Sequence, residues 1–176
     1  MSLTRAADSD LEAVAALVNR SYRGLGGWTT EASYLAGERT DARTLRRDLA
    51  AQPLATLLVQ RDAPEGPLLG SVWLEPAEGD AWYLGMLTVR PDLQDRRLGR
   101  ALLAEAEAFA IAHGARRIRL TVVNLRDTLI AWYERRGYRL TGETEPFPYD
   151  DAPFGAPTRD DLQFVVLEKR VPLSAQ

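Results

Sequence analysis

The sequence has no cysteine and one histidine, His113. Without Cys there is no disulfide, no thiolate nucleophile and no thiolate metal ligand. With one His, a multi-histidine zinc site is excluded, and a Ser–His pair would have to use that residue. No apolar run approaches the ~20 residues of a membrane-spanning helix. Met1-Ser2-Leu3-Thr4-Arg5 lacks the apolar stretch of a signal peptide. Neither sign of charge dominates: 22 basic residues face 25 acidic ones, net −3, which disfavours general nucleic-acid binding. Repeats and low-complexity tracts are missing too. What remains is a chain of 176 residues, 45% hydrophobic and 27% charged, enough for one domain with a sizeable core. The expectation is a cytoplasmic domain with a small-molecule or peptide partner, no nucleic acid and no membrane.

Residues 3–7 read as a short strand. Asp8-Ser9-Asp10 offers helix caps before the apolar stripe Leu11, Val14, Leu17 and Val18. That helix should end near Tyr22, ahead of Gly24, Gly26 and Gly27. Residues 28–35 and 41–51 read as further helices, the latter with Leu45 and Leu49 on one face and Pro53 beyond. The period then changes to strands over 55–60, 68–74 and 82–89, joined by turn-rich segments, hence antiparallel neighbours. Leu98, Leu102, Ala106 and Phe109 recur at helical spacing up to His113, a cation suited to a helix C-terminus, and Gly114 follows as the stop. Residues 117–122 alternate as a strand with one wet face. Residues 127–136 form a helix closed by Gly137, for which Asn124 reads as an N-cap answered by Asp127. Strands start at 138–141 and 162–168. Between them, residues 143–161 read as a long loop with four of the ten prolines. The order implies an α/β (α+β) domain: one mixed, mostly antiparallel sheet of about 6–7 strands with helices on both faces.

Two segments carry chemistry. In Leu84-Gly85-Met86-Leu87-Thr88-Val89-Arg90-Pro91-Asp92-Leu93-Gln94-Asp95-Arg96-Arg97-Leu98-Gly99-Arg100-Ala101-Leu102-Leu103, a strand leads through a polar turn into an arginine-rich helix start. The first amides of a helix have no internal partner and sit at the positive end of its dipole. Arg96, Arg97 and Arg100 beside them suit a phosphate, and Gly99 lets a ligand approach the backbone. The same residues also read as a capped helix with solvated arginines. The Gly-Lys pattern of a P-loop is absent. The second segment is Ala131-Trp132-Tyr133-Glu134-Arg135-Arg136-Gly137-Tyr138, whose aromatics alone read as core.

Together the two segments resemble the GNAT superfamily of acyl-CoA-dependent N-acyltransferases, over roughly residues 68–141. The resemblance implies a splayed pair of parallel strands, here ending near Val89 and Val123, with the thioester of acetyl-CoA in the gap. Leu87, Thr88 and Val89 would pair with the pantetheine arm, and an N–H near Val89 would polarise the thioester oxygen. Gln94, Asp95, Arg96, Arg97, Leu98, Gly99, Arg100 and Ala101 would hold the pyrophosphate. Tyr133 falls on the tyrosine that protonates the departing sulfur in many members, and Arg126 is placed to lower its pKa. Asn124 and Arg126 lie where members contact the cofactor. Three positions depart from the pattern. Arg97 replaces a glycine, which is tolerable if its φ stays negative. Arg126 replaces an asparagine. Thr121 stands where some relatives carry a glutamate base. The resemblance makes residues 1–53 the acceptor side, 54–141 the acyl-CoA core, 142–161 a lid and 162–170 the last strand. Tyr22, Trp28, Thr30, Glu31 and Tyr34 would roof the acceptor site, with Glu31 binding the amine or acting as base. Tyr83 and Trp73 would line it from the sheet, and Glu75 reads as a turn residue. The acidic loop, with Phe147, Tyr149 and Phe154, would attract a cationic amine. An N-acetyltransferase acting on a primary amine is the implied function, with homodimerisation open. The rivals are a silent CoA sensor of the same fold and a phosphate- or nucleotide-binding domain that makes no use of CoA.

Overall fold

Turn chemistry between short apolar runs builds a meander, and the computed structural model shows what surrounds it; residues 3–24, 31–150 and 156–172 are described, without the side chains of 94–96. The elements are β1 (Leu3–Arg5), α1 (Leu11–Arg23), β2 (Leu35–Ala36), α2 (Ala42–Ala51), β3 (Thr56–Arg61), β4 (Leu68–Pro76) and β5 (Ala81–Val89). They continue with α3 (Leu98–Ala112), β6 (Arg117–Val123), α4 (Asp127–Glu134), β7 (Arg139–Pro146), β8 (Ala156–Pro157) and β9 (Gln163–Arg170). Seven strands form one sheet in the order β1-β3-β4-β5-β6-β9-β7, antiparallel except for β5 beside β6. β2 and β8 make a separate small pair.

Strand periodicity decides which core each residue joins. On β3, Leu57 and Val59 pack with Leu11, Val14, Leu17 and Val18 of α1 and with Leu45 of α2. Leu58 between them turns to the other face and joins Leu102, Leu103 and Ala106 of α3, with Ile118, Leu120, Tyr138 and Leu167. Both faces are thus covered, which explains the unbroken burial of residues 56–60. Each fully buried Leu or Val of this kind contributes about 1.5–3 kcal/mol. Gly70 is required here, since a Cβ would lie 2.8 Å from the Thr88 carbonyl and 2.9 Å from Leu102 Cδ2.

The parallel pair is short. Ala81, Trp82 and Tyr83 pair with Arg117, Ile118 and Arg119, and nothing beyond pairs although both strands run on. A bulge explains the parting. Ser71 faces Thr88 and Trp73 faces Gly85, so β5 carries one extra residue, and Met86 takes φ +46°. The bulge bends β5, and a wedge opens between it and β6.

Four expectations change. The helix read over 28–35 is, from Glu31 to Tyr34, a turn that enters β2; the rest of it lies outside the described residues. Pairing with β8, more than a hundred residues away, decides this. The loop read over 143–161 begins as strand, because β9 extends β7 to Pro146. β7 is exposed throughout, so it has no hydrophobic alternation to read. The last helix stops at Glu134. Finally, Asn124 does not cap α4. Its Nδ2 donates to the Asp161 carbonyl and its Oδ1 accepts from Gln163 N–H, each at 3.1 Å. Two bonds to the start of β9 satisfy its amide better than one cap bond. His113 ends α3 as read, donating from Nδ1 to Phe109 O at 2.8 Å and stacking on that ring. No helix among the described residues is long and apolar enough to cross a membrane.

Candidate active site

The wedge is the floor of a cavity of about 520 Å³. Residues 84–87 of β5 and 120–123 of β6 supply its sides. Tyr22 of α1, Tyr133 of α4, and Glu31, Arg39 and Arg126 from the connecting segments close it, with Glu75 of β4, Glu145 of β7 and Phe147 just beyond β7. Of the strand residues read as cofactor-binding, Leu87 lines this space, while Thr88 and Val89 are buried just beyond it. Thr88 Oγ1 donates to the Met86 carbonyl at 2.9 Å and so braces the bulge. Ser21 Oγ donates to Val89 O at 3.0 Å and ties α1 to the end of β5.

At that end the chain makes a 3-10 turn, Pro91–Arg96, whose Gln94, Asp95 and Arg96 side chains lie outside the described residues. Arg97 then takes φ +61°, ψ 12°. The expectation of a negative φ is therefore overturned. The turn and α3 are not collinear, and a left-handed residue makes the corner at a cost of roughly 1–2 kcal/mol for a side chain with a Cβ. Ala101 N–H is the first to bond back, to Arg97 O at 3.2 Å. The amides of Leu98, Gly99 and Arg100 are thus the opening donors of the helix. A Cβ at Gly99 would meet only Trp132 and Val89, at 3.6 and 3.8 Å, so internal packing does not demand glycine there. Arg97 and Arg100 are exposed. Arg100 lines a second recess with Arg135, Arg136, Lys169 and Glu107. Arg136 is held with its guanidinium 3.6 Å from the centre of the Trp132 ring.

Tyr133 comes from α4 and is 5% exposed, edge-on to Trp132 and Tyr138. Burial pushes its hydroxyl far above the ordinary phenol value, Tyr22 adds to that, and Arg126 pulls the other way without prevailing. The reading that Arg126 lowers this pKa holds for the direction of its influence and fails for the net result. The hydroxyl stays protonated across the physiological range, which suits a proton donor and not a base.

Glu31 is 5% exposed and lies between two guanidiniums, Arg23 at 3.2 Å and Arg126 at 3.3 Å. Arg126 in turn lies over the Tyr22 ring, 5.1 Å from its centre, and Arg39 lies 5.8 Å from the same ring. Burial pushes the Tyr22 hydroxyl up. Tyr83 also lines the cavity; burial raises its hydroxyl, with neighbouring Thr121 pulling the other way. Its ring lies across Gly85, where a Cβ would come within 2.8 Å of it. Tyr34 does not line the cavity. It packs with Leu35, Val123, Phe147 and Leu162, and its buried hydroxyl has no hydrogen-bond partner among the described residues. Trp28 and Thr30 lie outside the described residues, as does Phe154.

Three lining residues escaped the sequence reading or were underrated. Glu75, read as a turn residue, sits on β4 opposite Tyr83 and accepts from Trp73 Nε1 at 3.0 Å. The two-residue period from Trp73 would have placed it on the same face. Glu145 figured only as one acid of the loop. Arg39 carries no local signal at all. Among the described residues no group of three His, Asp or Glu side chains could hold a metal.

Comparison with known proteins bears on this geometry. The profile of the Acetyltransferase (GNAT) family matches residues 11–138. Comparison with curated protein sequences gave no match. Solved structures share the fold over nearly their whole length. The ribosomal-protein-alanine N-acetyltransferase of Brucella melitensis superposes with TM-score 0.68 at 19% identity, covering 97% of this chain and 100% of its own. The ribosomal-protein-S18-alanine N-acetyltransferase of Escherichia coli gives TM-score 0.67 at 18% identity, covering 99% and 96%. Nourseothricin acetyltransferase gives 0.66 at 22% identity, covering 97% and 98%. At those identities the likeness speaks to the fold alone. With the profile spanning residues 11–138 and a wedge opened by a bulged strand beside its parallel neighbour, the chain belongs to the GNAT acetyltransferase family.

Proposed function

We propose that this protein is an N-acetyltransferase that moves an acetyl group from acetyl-CoA to a primary amine, directly, in a ternary complex. One observation carries the reading: Tyr133 is buried on the wall of a wedge between β5 and β6, and the end of β5 at Val89 lies beside Gly99 in the first turn of α3. The residues present fit the carrier. Beyond Tyr83 and Arg119 β5 and β6 no longer pair with each other, and the stretch from Leu87 to Val89 suits the amide groups of a pantetheine arm. The amides of Leu98, Gly99 and Arg100, with the side chains of Arg97 and Arg100, suit a diphosphate. Acetyl-CoA supplies an activated acyl carbon and a leaving thiol.

The protein's own part is positioning and proton handling. An N–H near Val89 polarises the acyl oxygen without reorganisation. Tyr133 holds a proton at Oη and gives it to the sulfur as the carbon–sulfur bond breaks. Burial makes that phenol a weak acid, so the transfer has to be concerted with bond breaking, when the sulfur is most basic. The attacking nitrogen loses its proton in exchange, and atoms balance. A lysine-like amine of pKa ≈ 10.4 is neutral in roughly one molecule in 2,500 at pH 7, so carboxylates in the cavity help by accepting that proton. Glu31 is already paired twice, which leaves Glu75 and Glu145 better placed for this. Phe147 and the chain after β7 form the acceptor-side wall. With no cysteine, no acyl-thiol intermediate forms on the protein.

Thiol release from acetyl-CoA over a panel of amines tests the proposal. Tyr133→Phe should cut the chemical rate by about 10²–10⁴-fold, with CoA affinity by calorimetry unchanged. An unaltered rate removes Tyr133 from the mechanism. Tight CoA binding with no turnover on any amine identifies a sensor instead, and no preference for CoA over ADP ends the reading altogether.

A further inference from the structure

We infer that the acceptor is a small zwitterion: an amine that also carries a carboxylate or a comparable anion. The inference rests on the cavity being the acetyl-transfer site and goes on to name what enters it.

Five charged side chains line the cavity: Arg39, Arg126, Glu31, Glu75 and Glu145. Glu31 is taken up between Arg23 and Arg126, so that cluster keeps a positive balance. Two guanidiniums, Arg126 and Arg39, lie at 5.1 and 5.8 Å from the centre of the Tyr22 ring. Two carboxylates, Glu75 and Glu145, lie close enough to Tyr83 to act on its hydroxyl. Arg39 lies over Tyr22 and also lines, with Tyr83, both the cavity and the recess beside it, so it stands between the two groups. The positive side is pre-organised. Glu31 holds Arg126 at 3.3 Å inside the protein, with side chains 6% and 8% exposed. A guanidinium carries five donors in one plane, so a partner on one edge fixes the plane in which a further anion is received. On the negative side, the Trp73 indole N–H fixes Glu75 at 3.0 Å.

Complementarity then selects the acceptor. A simple cationic amine would be drawn to Glu75 and Glu145 but would meet Arg39 and Arg126 with like charge. An anion without an amine faces the reverse. A molecule bearing both charges pairs with both groups, and rejection of the mismatched ligands supplies the selectivity. Size points the same way. About 520 Å³ has to hold the reacting end of the carrier as well as the acceptor. Beside the cavity lies a separate recess of about 160 Å³ that shares Arg39, Tyr83, Gly85 and Met86 in its lining and reaches Thr44 and Asp48 of α2, the nearest space for an acceptor's side chain. An α-amino acid or an analogue of one meets these demands.

The experiment uses the full chain with acetyl-CoA and matched acceptors: L-α-amino acids, each beside its amide and its decarboxylated amine. The acid member should exceed its two partners in kcat/KM by about 10–100-fold, the scale of a charge-assisted pair. Arg39→Met should remove most of that preference by raising KM for the acid, with little effect on the amide and on the KM of acetyl-CoA. Amides or decarboxylated amines that match or beat the acids overturn the inference. So does an equal loss on all three members in Arg39→Met, or acetylation of peptides alone. Calorimetry with CoA separates this from the parent reading: if CoA binds and no acid of the panel is acetylated, the zwitterion fails while the transferase stands; if CoA does not bind, both fail.

Discussion

Glu31→Gln is the most demanding perturbation of this structure, because it neutralises a carboxylate between two buried guanidiniums. The Arg23, Glu31 and Arg126 side chains are 8%, 6% and 8% exposed, and the pairs measure 3.2 and 3.3 Å. Burial already lowers the Arg23 pKa, with Glu31 opposing that shift, so charge at this place depends on its partner. Removing one member of a buried ion pair costs about 3–5 kcal/mol. Gln keeps the shape and one acceptor, so the lower end, about 3 kcal/mol, is expected. At about 2–4 °C per kcal/mol for a chain of this size, Tm should fall by roughly 6–12 °C. Urea unfolding should show a lower midpoint at unchanged slope. Adding Arg126→Met to Glu31→Gln should restore part of the loss, since one buried guanidinium goes with it; the cycle measures this coupling. The kinetics divide the roles of Glu31. If it aims Arg126, the variant raises acceptor KM; if it is the base, the variant lowers kcat most where the amine is protonated. A change within about 0.5 kcal/mol, the size of an ordinary surface substitution, would refute the buried cluster.

Arg97→Gly should stabilise the protein, because glycine takes φ +61° without the roughly 1–2 kcal/mol that a Cβ costs there, less the ~0.5–1 kcal/mol of extra unfolded-state freedom; a thermal melt that shows a loss counts against the left-handed corner. Gly70→Ala should cost about 1–3 kcal/mol by overpacking, as its Cβ has 2.8 Å to the Thr88 carbonyl; neutral behaviour in denaturant would show that β4 and α3 yield freely. Asp41 caps α2 by accepting from Thr44 N–H at 2.6 Å, and that bond holds its carboxyl below the usual value. Its contribution is present above the unfolded pKa of about 3.9 and lost as pH falls through the lower folded value. Asp41→Ala should therefore melt earlier than the parent at neutral pH and together with it in strong acid; a gap that persists in acid rules out the cap as its source.

The sequence by itself determined the meander of β3, β4 and β5, the long helix α3 and its stop at His113, and the motif that places Tyr133. Each is written in local periodicity: two residues for a strand, three to four for a helix, with Gly, Pro and caps at the ends. Tertiary structure alone decided the rest. Glu31 and Arg126 are 95 residues apart in the chain, and no local pattern announces that they meet. β2 exists only because β8 pairs with it, and exposed β7 because β9 does. Asn124, read as a cap, was taken by the start of β9. Arg97 kept a left-handed φ because the corner between turn and helix required it, whatever the residue. The same division runs through the cavity. Tyr133 was legible in a motif, but Arg39, Arg126, Glu75 and Glu145 meet where four separate segments converge, and only the tertiary structure brings them together.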